Sequence, residues 1–253
     1  MKGEEERSGA AFVDAHCHID LFPDPAAVVS EAETGAIHTI AVTNAPSVFF
    51  HTRDLARGTR FVHAAVGLHP ELVPARRHEL DRMWSMLEET RLVGEVGLDS
   101  VTGDPSERRA QREVFSRIVE RCAACRDKVL SVHSRRAAGD VLDIVGENFP
   151  GTVILHWFSG TVRELERAVR CGCRFSVGPA MVKSKHGIEL LKAMPAERVL
   201  TETDGPFVKA GTRHARPIDV VSVVNEIAKL WQTTEEEARK RIFRTFTEIL
   251  EVR

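Results

Sequence analysis

Short apolar runs recur along the chain, and most of them are followed by a stretch with helical periodicity. We predict strands at residues 12–18, 37–43, 61–67, 92–98, 129–134, 153–157, 174–177 and 199–203. We predict helices at residues 25–33, 76–89, 106–126, 139–147, 162–171, 188–193, 218–231 and 235–250. Eight strands that alternate with helices indicate parallel βαβ units, which occur both in closed barrels and in open doubly wound sheets.

Polar residues stand at the carboxyl ends of most predicted strands, although a parallel strand that is covered on both faces should be apolar throughout. These residues are Asp14, His16, His18, His69, Glu95, His133, His156 and Asp204. Catalytic groups of α/β barrels gather at that end, and strand ends from across the chain converge only when the sheet closes into a ring. The sequence therefore predicts a disordered tail over residues 1–10 and a single-domain (β/α)8 TIM barrel over residues 11–253, with a metal site at the C-terminal ends of the strands.

The histidines and carboxylates at these strand ends have the chemistry and the spacing of metal ligands. Side chains alternate between the two faces of a strand, so His16 and His18 point the same way and can bind one ion. Asp14 and Asp99 are candidates to hold ligand histidines from behind. His16, His18, His133 and His156, with the two carboxylates of Glu95 and Asp204, exceed what one tetrahedral site needs. We therefore predict two divalent ions that share a carboxylate, with Mg²⁺, Mn²⁺ and Zn²⁺ as candidates.

Composition limits the class of protein without indicating a substrate. Of the residues, 43% are hydrophobic and 28% are charged, which favours a packed globular core. The net charge of −2 excludes a global basic field for nucleic acid, so a polyanion must be bound by metal ions or by local basic loops. The sequence starts with polar and acidic residues, and no apolar run approaches the roughly 18 residues of a membrane span. We expect a cytoplasmic monomer with reduced thiols and no membrane contact.

Six segments, in order along the chain, resemble the TatD-type nucleases of the metal-dependent amidohydrolase superfamily. They are residues 13–18 (VDAHCH), 66–70 (VGLHP), 94–99 (GEVGLD), 132–135 (VHSR), 155–160 (LHWFSG) and 202–207 (ETDGPF). The resemblance implies a (β/α)8 barrel and a metal-dependent deoxyribonuclease. It further implies a 3′ exonuclease that acts on single-stranded DNA with a hydroxide activated by two metals.

The resemblance also implies a role for each residue at the strand ends. The implied metal ligands are His16, His18 and Asp204 for the first ion, His133 and His156 for the second, and Glu95 as the bridge between them. Asp204 would also orient the attacking water or take its proton, and His69 would contact the substrate phosphate. The implied catalytic residues are therefore Asp204, Glu95 and His69.

The chain departs from the family pattern at several places outside the metal ligands. Ser100 stands where an aromatic residue is common, and Arg136 stands where Asp is common. Residues 213–217 (RHARP) replace a segment that usually resembles Arg-Asn-Glu-Pro. These departures suggest a specialised branch, such as the TatD-like protein of the Qat anti-phage defence system, with other proteins of a defence complex as partners.

Basic residues follow several predicted strands, on the face of the barrel that would bear the site. We predict that substrate phosphates are bound by Arg135, Lys209, Arg213 and Arg216, without readout of the bases. Trp157 and Phe158 are candidates either to stack against a base or to pack in the core.

Two other functions stay open on the sequence alone. A relative in the same superfamily could hydrolyse an amide, an ester or a lactone with a similar set of ligands. Against this, the fourth predicted strand offers Glu95 and no lysine for carboxylation. A non-catalytic subunit of a larger complex would usually have lost ligands, and none is missing from this sequence.

Overall fold

We describe residues 10–251 from a computed structural model of the chain. Within that range eight barrel strands, β1–β8, are Phe12–Cys17, Ile37–Ala41, Val62–Ala64, Leu92–Gly97, Val129–His133, Thr152–His156, Arg174–Val177 and Val199–Thr201. A short antiparallel hairpin of β9 (Lys209–Ala210) and β10 (Arg213–His214) follows β8. The tail predicted over residues 1–10 lies outside the described residues, apart from Ala10.

Hydrogen bonds between parallel neighbours build the barrel strands into two arcs of sheet. One arc has the order β1–β2–β3, and the other has the order β4–β5–β6–β7–β8. The arcs meet at Val66, just after β3. Its N–H donates to the carbonyl of Leu92 at 3.1 Å, and its own carbonyl accepts from the N–H of Gly94 at 2.9 Å. The parallel order thus continues from β3 to β4.

The second junction, between β8 and β1, is made by the backbones of three predicted site residues and of Gly205. The N–H of Asp204 donates to the carbonyl of His16 at 2.9 Å. The N–H of His18 donates to the carbonyl of Gly205 at 2.8 Å. The two arcs therefore close into one ring, which confirms the predicted (β/α)8 barrel and excludes the open doubly wound sheet.

The described range also contains ten helices, α1–α10. They are Pro25–Thr34, Phe49–Ala56, Val73–Arg76, Leu80–Met86, Pro105–Cys125, Ala138–Val145, Val162–Arg170, Lys185–Ala193, Val220–Leu230 and Glu235–Glu251. Two helix starts agree with the capping signals in the sequence. Asp104 caps α5 by accepting from the N–H of Ser106 at 2.7 Å, and Thr161 forms a capping box with Glu164 at the start of α7.

Three helical segments differ from the prediction for local reasons. The single helix predicted over 76–89 is wrong, because α3, with Pro74 in its first turn, ends at Arg76 and a 3₁₀ turn separates it from α4. The helix α8 begins at Lys185 rather than at residue 188, because Ser184 caps it through the N–H of Gly187. The helix α2 was not predicted, since its buried residues are only Phe49 and Thr52 and give little apolar periodicity.

The apolar core fills the barrel and the layer between the strands and the surrounding helices. Its largest fully buried side chains include Phe49, Phe115, Phe158, Phe175 and Phe246. Each such side chain contributes roughly 1.5–3 kcal/mol through burial, so the ring that carries the strand ends rests on a well-packed base. None of the helices in the described range has the combination of length and hydropathy that a membrane crossing requires.

Candidate metal centre

The carboxyl ends of the barrel strands bring the predicted ligands together at one end of the barrel. His16 and His18, at the end of β1, point the same way, and their Nε2 atoms lie 3.2 Å apart. Both side chains are almost completely buried. Two ligand atoms of a tetrahedral ion with bonds of about 2.0–2.1 Å lie about 3.3 Å apart, so the spacing of this pair fits one ion.

Glu95 on β4 presents one carboxylate oxygen to this pair. Its Oε2 lies 3.5 Å from His16 Nε2 and 3.2 Å from His18 Nε2. Asp204, shortly after β8, places Oδ1 at 3.8 Å from His16 Nε2 and at 3.7 Å from His18 Nε2. We call His16, His18 and Asp204, together with Glu95 Oε2, the first half of the centre.

The other oxygen of Glu95 faces a second set of imidazoles. Glu95 Oε1 lies 2.7 Å from His133 Nδ1 and 2.9 Å from His156 Nε2, and these two nitrogens are 3.5 Å apart. We call His133 and His156, together with Glu95 Oε1, the second half of the centre. His69 Nε2 lies 3.4 Å from the same oxygen. One carboxylate thus stands between two sets of donors, with a separate oxygen toward each.

Hydrogen bonds from behind determine which nitrogen of an imidazole faces the centre. His133 Nε2 lies 2.8 Å from Asp99 Oδ2, which can only accept, so in the neutral imidazole this nitrogen carries the proton and the lone pair of Nδ1 faces Glu95. The Nδ1 atom of His16 is likewise 2.7 Å from the hydroxyl of Ser131. A lone pair 2.7 Å from a carboxylate oxygen is repelled unless a cation or a proton lies between them. The donor set therefore fits a divalent cation.

The charge of the site also fits a cation. Among the described residues, the carboxylates buried within or directly behind the centre are Asp14, Glu95, Asp99, Glu202 and Asp204. Burial raises the pKa of Asp204 to about 8, although His156 opposes the rise. Burial acts in the same direction on Glu95, but His69, His156 and His16 outweigh it and hold the pKa of Glu95 well below its usual range. Burial, reinforced by His156, lowers the pKa of His16 and favours the neutral imidazole, the form that binds a metal. Burial acts in the same direction on His133 and His156, but the carboxylates beside them outweigh it and raise the pKa of both.

Two buried residues of the site were missed in the sequence analysis. Glu202 accepts from the backbone N–H of Trp157 at 3.1 Å, and its Oε2 lies 3.5 Å from His156 Nδ1. Ser131 lies behind an imidazole of the first half, as described above. Each of the two stands two residues before a predicted strand-end residue, so the alternation of side chains along a strand was the signal that could have found them. Asp99, in contrast, has the supporting position that was expected.

The predicted phosphate-binding residues occupy different positions relative to the centre. The second half of the centre and Asp204 line a cavity of about 680 Å³, and Arg135 lines the same cavity. Arg213 donates two hydrogen bonds to Asp219, at 2.7 and 2.8 Å. Arg216 Nη1 lies 3.8 Å from a glutamate of α1, and Lys209 is exposed on β9. The structure thus brings Arg135 to the centre, whereas Lys209, Arg213 and Arg216 lie outside the cavity lining.

The two aromatic residues after β6 have different surroundings. Phe158 is buried and packs against Phe175, so it belongs to the core. Trp157 lines the cavity and is 37% exposed. The backbone φ angles of Trp157 (+39°) and Asp204 (+51°) lie in the left-handed region, which is uncommon for residues other than glycine and is concentrated at functional sites.

Comparisons with known proteins cover nearly the whole described range. A family model described as TatD related DNase matches residues 13–251. The chain is 35% identical to an uncharacterized metal-dependent hydrolase, TatD, of Mycobacterium tuberculosis, over 78% of this chain and 80% of the relative. It is 28% identical to deoxyribonuclease TATDN3 of Homo sapiens, over 79% of each chain. The crystal structure of YjjV, a TatD homologue from Escherichia coli, matches with a TM-score of 0.85 at 24% identity, covering 96% of this chain and 98% of that one.

Proposed function

We propose a function from the premise that this chain belongs to the TatD-related DNase family and is a metal-dependent hydrolase. In the proposed reaction it cleaves the phosphodiester bonds of DNA, as a 3′ exonuclease on single strands, with two divalent ions bound in the two halves of the centre. The observation that carries this proposal is the position of Glu95, which offers Oε2 to the first half and Oε1 to the second. A phosphodiester gains from two cations, because it is charged at the start and gains charge at both the attacking and the leaving oxygen.

The two ions would supply a more acidic water nucleophile and neutralise charge on the phosphate. Zn²⁺ and Mn²⁺ suit the imidazole nitrogens of both halves, whereas Mg²⁺ would need additional water ligands. Asp204 is the residue that we propose to orient the attacking water and take its proton. Its carboxylate borders both the first half and the cavity, so one side chain reaches the donor set and the space for substrate.

His69 contacts substrate in this proposal rather than an ion. Its Nδ1 accepts from the backbone N–H of Glu71 at 3.2 Å, so the neutral ring carries its proton on Nε2. Since Nε2 lies 3.4 Å from Glu95 and His69 lines the cavity, this N–H is placed to donate to a phosphate oxygen beside the centre. The residues that we propose to act in catalysis are therefore Asp204, Glu95 and His69.

The basic residues of the same face would bind the rest of the DNA strand. Arg135 is placed for a phosphate next to the scissile one, since it lines the cavity. We assign Lys209, Arg213 and Arg216 to phosphates farther along the strand. Arg213 would have to exchange its two hydrogen bonds with Asp219 for a phosphate, so its net contribution should be small.

We propose a cytoplasmic monomer as the working form of the enzyme. The departures from the family pattern at Ser100, Arg136 and residues 213–217 support a specialised role, for which we propose an anti-phage defence system with protein partners. These residues follow β4, β5 and β8, so the departures lie on the face that would meet the substrate.

The test is a nuclease assay on metal-reconstituted protein with oligonucleotides labelled at the 3′ or the 5′ end, single-stranded and double-stranded. We expect the 3′ label to be released first from single strands, with the 5′-labelled strand shortened stepwise. Glu95→Gln is the matched control, because it keeps the size of the side chain and removes the charge that two ions would share. Hydrolysis of amides, esters or lactones by a fully metallated enzyme that leaves nucleic acid intact would overturn the proposal.

A further inference from the structure

The exposed large apolar side chains of the described residues all lie at the end of the barrel that bears the metal centre. They are Leu21, Val101, Trp157, Val162 and Phe207. Four of them, Leu21, Val101, Trp157 and Phe207, follow β1, β4, β6 and β8, and each precedes the next α-helix of the barrel. Val162 is the first residue of α7, which follows β6, so all five lie beyond the carboxyl ends of the strands, on the catalytic face. Scattered apolar residues are ordinary on a protein surface, but a set confined to one face indicates a surface that binds something.

Two members of this set, Trp157 and Phe207, also line the cavity of the centre. Phe207 is 62% exposed, and its ring packs edge-on against His18 with the ring centres 5.0 Å apart. Trp157 directly follows His156 in the sequence. One aromatic residue therefore adjoins each half of the metal centre.

The backbone holds both aromatic residues in place. The N–H of Phe207 donates to the carbonyl of Asp204 at 2.9 Å. The preceding carbonyl, that of Pro206, accepts from His214 Nδ1 on the neighbouring hairpin at 2.6 Å. The N–H of Trp157 donates to a buried carboxylate at 3.1 Å. Since the backbone beside each exposed ring is already anchored, fewer degrees of freedom remain to be ordered when a flat ligand stacks on the ring.

We propose that Trp157 and Phe207 stack against the two nucleobases that flank the scissile phosphodiester of a single DNA strand. This inference rests on the proposed function, since the metal centre would hold the scissile phosphodiester beside the two rings and Arg135 would hold the neighbouring phosphate. The faces of neighbouring bases are accessible only where the strand is unpaired and unstacked, so these residues would create the preference for single strands. Every base has a π face, so the preference would tolerate any sequence.

The experiment compares Phe207→Ala and Trp157→Ala with Phe207→Tyr and Trp157→Phe, which keep an aromatic face. Leu21→Ala and Val162→Ala are matched controls, because these residues are exposed on the same face without lining the cavity. For each metal-loaded protein we would measure kcat and KM on a single-stranded oligonucleotide and on the same strand with two abasic residues at its 3′ end. Fluorescence anisotropy gives the Kd of both strands, and mass spectrometry gives the metal content.

Each alanine variant should raise KM and Kd for the intact strand about tenfold, the scale of one base–aromatic stack, with kcat and metal content close to wild type. The variants that keep an aromatic ring and the two controls should stay within about twofold of wild type. On the abasic strand the wild type and the alanine variants should have the same Kd, because no base is left for either ring to stack against.

Three outcomes would overturn the inference, and they differ in whether they also contradict the proposed function. Unchanged KM and Kd in both alanine variants, with a wild type that cleaves DNA, would refute stacking and leave the proposed function intact. A wild type that neither binds nor cleaves DNA would remove the proposed function as well. A dimer of the wild type that Phe207→Ala or Trp157→Ala disperses in sedimentation would assign the two rings to a second copy of the chain.

Discussion

Replacing Asp99 by Asn changes the charge behind His133 and leaves the shape of the side chain nearly unchanged. Asp99 Oδ2 accepts from His133 Nε2 at 2.8 Å, and Oδ1 accepts from the N–H of Val101 at 2.7 Å. Both partners are donors, whereas Asn has one oxygen that accepts and one amide group that donates. Asn can therefore satisfy only one of the two partners, and its amide group meets the other donor in a site where the residue is 2% exposed.

In the two-metal centre that we propose, the loss should fall on the second half. A hydrogen bond to a charged group contributes about 1.5–3 kcal/mol, and its loss frees the imidazole of His133 to rotate or to change tautomer. The other tautomer places the proton on Nδ1, which lies 2.7 Å from Glu95 Oε1, where a metal needs a lone pair. Loss of such a carboxylate behind a ligand histidine typically costs 10–100-fold in metal affinity, so we expect about 30-fold weaker binding of the second ion and little change for the first.

The measurement is metal content at graded free-metal concentrations, by calorimetry and native mass spectrometry. Asp104→Asn is the matched control, since it makes the same chemical change at an exposed helix cap, where Asn serves as well as Asp. Asp99→Asn should add little in a His133→Ala background, because the residue acts through that ring. Wild-type metal affinity in Asp99→Asn, or an equal loss from Asp104→Asn, would refute the reasoning.

Three further predictions address charge and catalysis. Glu95→Gln and Asp204→Asn should each lower nuclease activity at least about 100-fold with an unchanged far-UV circular dichroism spectrum, and near-normal turnover would contradict their assignment. Burial, His63 and Arg60 lower the pKa of His38 from 6.5 to about 4, so the unfolded chain takes up its proton first. The free energy of unfolding, measured in urea, should therefore fall as the pH drops from about 6.5 to about 4. The fall should be smaller in His38→Gln, and a fall equal to that of the wild type would exclude His38 as its source. Arg135→Ala should reduce the slope of log Kd against log salt for single strands by about 0.7, and an unchanged slope would remove Arg135 from the interface.

The grouping of the candidate ligands at one end of the barrel could be predicted from the sequence, because a buried parallel strand has few reasons to end in a histidine or a carboxylate. The alternation of side chains placed His16 and His18 on one face, and the structure agrees. The same rule, applied two positions before Asp204, would have identified Glu202. The sequence could not predict which oxygen of Glu95 faces which half of the centre, because this depends on the angles between strands that are distant in the chain.

The loops after the strands were less predictable than the strands themselves. From its charge and its position after β8, Arg213 was predicted to bind a phosphate. In the structure its guanidinium instead donates two hydrogen bonds to Asp219. The ion pair of Arg213 and Asp219 depends on the fold of the β9–β10 hairpin, which no local sequence pattern indicates. Likewise, Trp157 and Phe158 are equivalent in the sequence, and only the turn at the end of β6 sends one to the cavity and the other to the core.

The distances around Glu95 follow from the order in which the barrel strands pair. Glu95 and both imidazoles of the second half lie on β4, β5 and β6, which are neighbours within one arc, and the distances from Oε1 to those imidazoles are 2.7 and 2.9 Å. The first half lies across the junction of β8 and β1, and its imidazoles are 3.5 and 3.2 Å from Oε2. The same junction is closed by the backbone hydrogen bond from Asp204 to His16, so two candidate ligands of the first half are also residues that complete the ring. The residues of the second half therefore come from one arc of sheet, whereas those of the first half come together only when the barrel closes. Because Glu95 serves both halves, the two-metal centre that we propose requires the closed barrel.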